Sequence, residues 1–102
     1  MKTFTVCGSM RFSDEMKNIA YYLETEKNYN VLQCVYLPEN VIPTDAERNR
    51  LEEAHYRKID LSDGIYVVNI DGYIGNSVRN EIEYAKKHNK IVIYHCDTEE
   101  VK

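Results

Sequence analysis

The stretch Gly64–Ala85 (GIYVVNIDGYIGNSVRNEIEYA) constrains the chain more than any other. It runs from an apolar, β-branched segment through a loop holding two glycines into a helix whose first turn carries Glu81. A buried strand, a glycine loop and a helix N-terminus in that order leave unpaired N–H groups facing outward, a ready place for an anion or a ligand. Gly72 and Gly75 are read as positions that need the φ > 0 geometry open to glycine. Asn76 or Ser77 is read as the helix cap.

Within that helix Glu81 stands apart. At about 100° per residue, Val78, Ile82 and Ala85 make one apolar stripe, and Glu81 lies roughly 60° from its middle. A carboxylate on the edge of a buried face, beside a glycine loop, is partly desolvated yet reachable. Those are the requirements for a carboxylate nucleophile or a general acid/base. An ordinary first-turn Glu, favoured by the helix dipole, meets the same spacing.

The rest of the chain repeats the strand–helix alternation. Thr3–Cys7 reads as a first strand, Gly8–Phe12 as a loop, and Ser13 as the N-cap of a helix with Met16, Ile19, Ala20 and Leu23 on one face. Val31–Leu37 reads as a second strand closed by Pro38. Thr44 with Glu47 has the capping-box spacing and opens a long polar helix through Leu51, His55 and Ile59. Gly64–Ile70 is so evenly apolar that a central strand covered on both faces is expected. A helix over Ser77–His88, a last strand Ile91–Cys96 and a frayed polar tail Asp97–Lys102 complete the pattern.

Such alternation predicts an α/β, Rossmann/flavodoxin-like three-layer fold in one domain over residues 1–102. Its four-stranded parallel sheet would have the order 2-1-3-4. The crevice then lies at the C-terminal ends of strands one and three, where the loops Gly8–Phe12 and Asp71–Ser77 meet. In the first of these, Gly8, Ser9 and Met10 offer backbone and hydroxyl contacts, and Arg11 could fork onto a phosphate or carboxylate or simply be solvated. Asp63, just before the third strand, could hold loop backbone or a ligand hydroxyl. His55 reads as a half-buried helix histidine, and His88 and His95 as structural.

Several function classes are disfavoured. A net charge of −4 with dispersed basic residues argues against a nucleic-acid surface. No apolar run approaches the ~20 residues of a membrane span, and no leader is evident, so a cytoplasmic protein without membrane attachment is expected. Cys7, Cys34 and Cys96 lie in apolar runs without C-x-x-C spacing and read as reduced small hydrophobes rather than disulfides or zinc ligands. No pair of histidines has metal-ligand spacing, and neither a P-loop nor a dinucleotide fingerprint is present. No metal and no cofactor are expected. Nine tyrosines without a tryptophan point to rings lining a pocket or a subunit interface.

The residues CGSM-R after the first strand, with IDLSDGIYVVN-x-x-GYIGNSVRNEIEYAKKHNKIVIY, resemble the nucleoside 2-deoxyribosyltransferase-like family, which includes 2'-deoxynucleoside 5'-phosphate N-hydrolases. The likeness covers the first loop and most of residues 58–94. It is most specific in Gly75-Asn76-Ser77 followed by Glu81-x-x-x-Ala85. It implies that Glu81 attacks the sugar C1' while the base departs, with water or a second base then taking the sugar. It also implies that Ser9, Arg11, Tyr73 and the amides of Gly75–Ser77 surround a nucleoside or nucleotide, and that His55 stands where the family carries an Asp. A homo-oligomer, dimer or larger, follows from the same resemblance, because a neighbouring subunit seals the pocket in the family. The alternative is a nucleotide-binding sensor of the same fold without turnover; a vestigial crevice is a third possibility.

Overall fold

Thr3–Gly8 (β1), Asn30–Leu32 (β2), Gly64–Val68 (β3) and Ile91–Tyr94 (β4) form one all-parallel sheet in the order β2-β1-β3-β4. The expected topology is therefore present. The computed structural model describes residues 1–96; the tail Asp97–Lys102, read from the sequence as frayed, lies outside the described residues. Helices Ser13–Thr25 (α1), Asp45–Asp60 (α2) and Asn76–Lys87 (α3) supply the crossovers.

Strand alternation sorts the core into two halves. Phe4 and Val6 of β1, with Tyr66 and Val68 of β3, meet Met16, Ile19 and Leu23 of α1 on one side of the sheet. Cys7, Ile65 and Val67 point the other way and meet Ile59 of α2 and Val78, Ile82 and Ala85 of α3. β3 is buried at every position, as its unbroken apolar run requires of a central strand. The i, i+3, i+4, i+7 spacing of α1 and the apolar stripe of α3 are the residues these helices bury.

The C-terminal end of α2 is anchored by polar contacts. Ser62 Oγ lies 2.6 Å from the buried Thr5 Oγ1 and donates to Lys58 O. Lys90 Nζ donates to the carbonyls of Asp60 and Ser62 at 2.9 Å each, satisfying acceptors that a helix end leaves open. Thr44 and Glu47 close the capping box at the other end, each side chain accepting from the other's backbone N–H.

Several local expectations need correction. Ser13 is the first residue of α1 and not its cap; Ser9 instead accepts from Arg11 N and caps a 3-10 turn over Met10–Phe12. Neither Asn76 nor Ser77 caps α3: the N-cap is Gly75, which has no side chain to offer. Gly75 has φ −79°, ψ 175°, extended backbone that any residue adopts, whereas Asp71 at φ 56° and Gly72 at φ 77° carry the left-handed turn. The second strand is shorter than Val31–Leu37, with only Asn30–Leu32 pairing, against Thr3–Thr5. It is an edge strand, and β-propensity without a partner across the ladder does not make a strand. β3 and β4 also stop early, at Val68 and Tyr94, where the chain turns away.

Candidate active site

The early end of β2 shapes the site. Because β2 pairs only with Thr3–Thr5, the later part of β1 lacks a strand neighbour on that side. A cavity of about 520 Å³ opens there, bordered by Val6 and Gly8 of β1 and by Cys34 and Val35 beyond β2. Its volume lies within the ~300–1,000 Å³ usual for small-molecule sites. It sits at the C-terminal end of the sheet, where β1 leads to β2 on one side and lies against β3 on the other.

Gly8, Ser9, Met10, His55, Gly75, Asn76, Ser77 and Glu81 all border this cavity, from three separate parts of the chain. The first turn of α3 brings the Asn76 and Ser77 amides to its wall. Gly8 is tightly packed: a Cβ there would stand 3.0 Å from Met16 Sδ and 3.1 Å from Val68 Cβ, so these side chains would have to give by a few tenths of an ångström. Three expected residues fall outside the wall. Arg11 lies with its guanidinium carbon 3.9 Å from the centre of the Tyr73 ring, a cation–π stack that also packs Phe12 edge-on against Tyr73. This stack ties the two loops together. Asp63 is at the opposite, N-terminal end of the strands, where its carboxylate accepts from Thr3 N–H at 2.7 Å. It holds the backbone of the first residue of β1, away from any ligand in the cavity. No tyrosine among the described residues borders the cavity; Tyr56 packs on Tyr84 and Tyr29 on Phe4.

Glu81 faces the cavity and is sheltered, with 12% of its side chain exposed. Its Oε1 lies 3.4 Å from Nε2 of His55, itself 11% exposed. Behind them Cys7 Sγ is 3.5 Å from the same nitrogen. Cys7 is buried, and its thiol pKa is pushed up, first by burial and then by the nearby Glu81 carboxylate. A covered thiol held in its protonated form is a poor nucleophile. His55 Nδ1 is buried without a hydrogen-bond partner among the described residues, so Nε2 is the ring atom that is engaged.

Sequence reasoning missed Cys7 as a member of this cluster and missed three charged residues of α2. Arg48, Glu52 and Lys58 join Leu51 and His55 on the cavity wall. Their i, i+3, i+4, i+7 and i+10 positions form one helical face, a signal present in the sequence once α2 is known to turn that face to the crevice. Cys34, on the other wall, has its pKa raised by burial, with Lys58 pulling it the other way. Among the described residues no helix is long and apolar enough to cross a membrane.

Comparison with protein-family models, with curated proteins and with solved structures finds no match to this chain.

Proposed function

We propose that the protein cleaves or transfers the N-glycosidic bond of deoxynucleosides or their 5'-monophosphates, with Glu81 as the nucleophile. The observation that carries this reading is the position of Glu81: a sheltered carboxylate on the wall of a nucleotide-sized cavity, next to the first turn of α3. Low exposure sharpens its interaction with charge that develops at an anomeric carbon. One Glu81 oxygen bonds to C1' as the C1'–N bond breaks, the departing base takes up a proton, and water or a second base releases the sugar. His55 stands close enough to Glu81 to carry a proton for either half of the cycle.

Other residues fit the same substrate. The amides of Asn76 and Ser77 at a helix N-terminus favour an anionic or hydroxyl group. Arg48 and Lys58 bring two cations to a cavity that Glu52 and Glu81 would otherwise make acidic, in keeping with a 5'-phosphate. Three free cysteines accord with action in the reducing cytoplasm. Val35, 53% exposed, and Leu37, 43% exposed, border the cavity, and a second copy of the chain would cover them in a homo-oligomer.

The test is incubation with a panel of deoxynucleosides and their 5'-monophosphates, followed by chromatography for free base. Base release by the wild type and its absence in Glu81→Ala support the proposal. Identical traces from the two proteins refute it. Saturable thermal stabilisation by a nucleotide with no product formed would instead identify a sensor of the same fold.

A further inference from the structure

Cys7, His55 and Glu81 come from β1, α2 and α3 and meet at the cavity wall, which His55 and Glu81 line and Cys7 backs. One sulfur, one imidazole nitrogen and one carboxylate oxygen lie there within 4.8 Å of one another. We propose that these three side chains hold a single borderline-soft divalent cation, of which zinc is the best match, with its fourth position opening into the cavity.

The spacing is the first argument. Zinc–sulfur bonds of about 2.3 Å and zinc–nitrogen or zinc–oxygen bonds of about 2.0–2.2 Å, at tetrahedral angles, set neighbouring ligand atoms about 3.3–3.6 Å apart. Two of the three separations fall there, Sγ–Nε2 at 3.5 Å and Nε2–Oε1 at 3.4 Å; the sulfur and the carboxylate lie within 4.8 Å and close up on the ion. A charge-assisted N–H···O⁻ contact closes to about 2.7–2.9 Å. His55 and Glu81 stand further apart than such a contact requires, at the separation of two ligands on one ion.

Chemistry and charge give the second argument. Thiolate, imidazole and carboxylate are all zinc ligands, and three protein ligands plus one open position is the arrangement of zinc sites that act on small molecules. Binding releases one proton, from Cys7; Glu81 supplies an anion and His55 the lone pair of Nε2. A dication with one thiolate and one carboxylate is neutral overall, which a site walled by apolar core tolerates far better than a bare charge. Nε2 ligation leaves the imidazole proton on Nδ1, which has no acceptor among the described residues. The site therefore lacks the outer-shell partner that is worth about 10–100-fold in affinity elsewhere, and its binding is correspondingly weaker.

The inference does not rest on the glycosidic reading. Glu81 cannot hold a metal and attack carbon with the same lone pair, so zinc inhibits base release if both hold. The experiment titrates cobalt(II), a spectroscopic substitute for zinc, into the chelator-treated, reduced full chain. One equivalent is expected to produce a thiolate-to-cobalt charge-transfer band in the near ultraviolet that zinc(II) displaces. That band disappears in Cys7→Ser and persists in Cys34→Ser and Cys96→Ser. Glu81→Gln and His55→Ala weaken cobalt binding by more than the ~100-fold upper value for an outer-shell partner. Circular dichroism checks each variant's fold, and Glu81→Gln decides the matter should Cys7→Ser not fold. Absence of the band in folded wild type, its persistence in folded Cys7→Ser, or unchanged affinity in Glu81→Gln overturns the proposal. The spectrum is read without substrate, so failure here and failure of the glycosidic reading remain distinct.

Discussion

Glu81 Oε1 stands 3.4 Å from His55 Nε2, and the two residues reach that point from different helices, α3 and α2. Each side chain is about nine-tenths buried, yet each borders the cavity. The pairing thus depends on how the two helices are set on the sheet. Ile82 and Ala85 fix the rotation of α3, while Ile59 and the Ser62–Thr5 contact fix α2. Among the described residues, Glu81 is a cavity-wall carboxylate that is both sheltered and in contact with a histidine.

From this follows the first prediction. Glu81→Gln keeps the shape of the side chain but removes the nucleophilic anion, so base release falls by at least about 10²-fold with the fold intact. His55→Ala lowers the rate less than Glu81→Gln does, and alters its pH profile, because it removes a proton carrier rather than the bond-forming atom. Single-turnover base release followed across pH separates these outcomes. Equal losses with unchanged pH profiles would contradict the assigned roles.

A second prediction concerns Cys7. Its folded pKa is raised, first by burial and then by Glu81, above the ~8.5 of an unfolded thiol. Below that unfolded value both states hold the proton, and the contribution to stability is fully present. As pH rises past about 8.5 the unfolded chain releases its proton and the folded one does not, so stability is lost at up to ~1.4 kcal/mol per pH unit. Urea midpoints for wild type and Cys7→Ala from pH 7 to 10 read this out, since the other titrating groups are common to both. Wild type is expected to fall more steeply; parallel curves would show that burial of this thiol has no such linkage.

Much of this arrangement was legible in residue spacing alone. The alternating patterns set strand and helix order, and the apolar stripe of α3 put Glu81 on its sheltered edge, because those signals are local and periodic. The Thr44–Glu47 box was equally readable, since both partners lie within one turn. What spacing could not show is long-range. Cys7 and His55 are 48 residues apart, and only the sheet order brings them together. The extent of β2 depended on whether a neighbour continued beside it, and the β-rich composition of Val31–Leu37 carries no such information. Spacing left Asp63 open between holding backbone and holding a ligand hydroxyl, and only the sheet register places it beside Thr3 N–H, away from the cavity.

The capping box supplies a third prediction. Thr44→Ala removes the acceptor for Glu47 N–H at the start of α2 and should cost about 0.5–2 kcal/mol. Thr44 is exposed and outside the cavity wall, so substrate affinity should hold once measurements are made well below the lowered melting temperature. Denaturant midpoints check the first part and KM the second. A stability loss below a few tenths of a kcal/mol would mean that tertiary contacts, not the cap, hold this end of α2.

Gly64 gives the last prediction, on the fold itself. It is buried at the head of β3 and pairs with Ile91 of β4. A Cβ added there would run into the Ile91 carbonyl oxygen and stand 2.7 Å from Ile91 Cβ. Both obstacles belong to a strand held in register, so neither can swing aside as a flexible side chain would. Gly64→Ala should therefore destabilise by at least the ~1–3 kcal/mol typical of overpacking, through separation of β4 from β3. The loss should appear first as faster amide hydrogen exchange at Ile91 and His95, whose N–H groups donate to Asp63 O and Val67 O, than in β1, because among the described residues β4 is an edge strand. Exchange that accelerates equally in β1 and β4 would mean that the sheet opens as a unit and that this contact does not govern its edge.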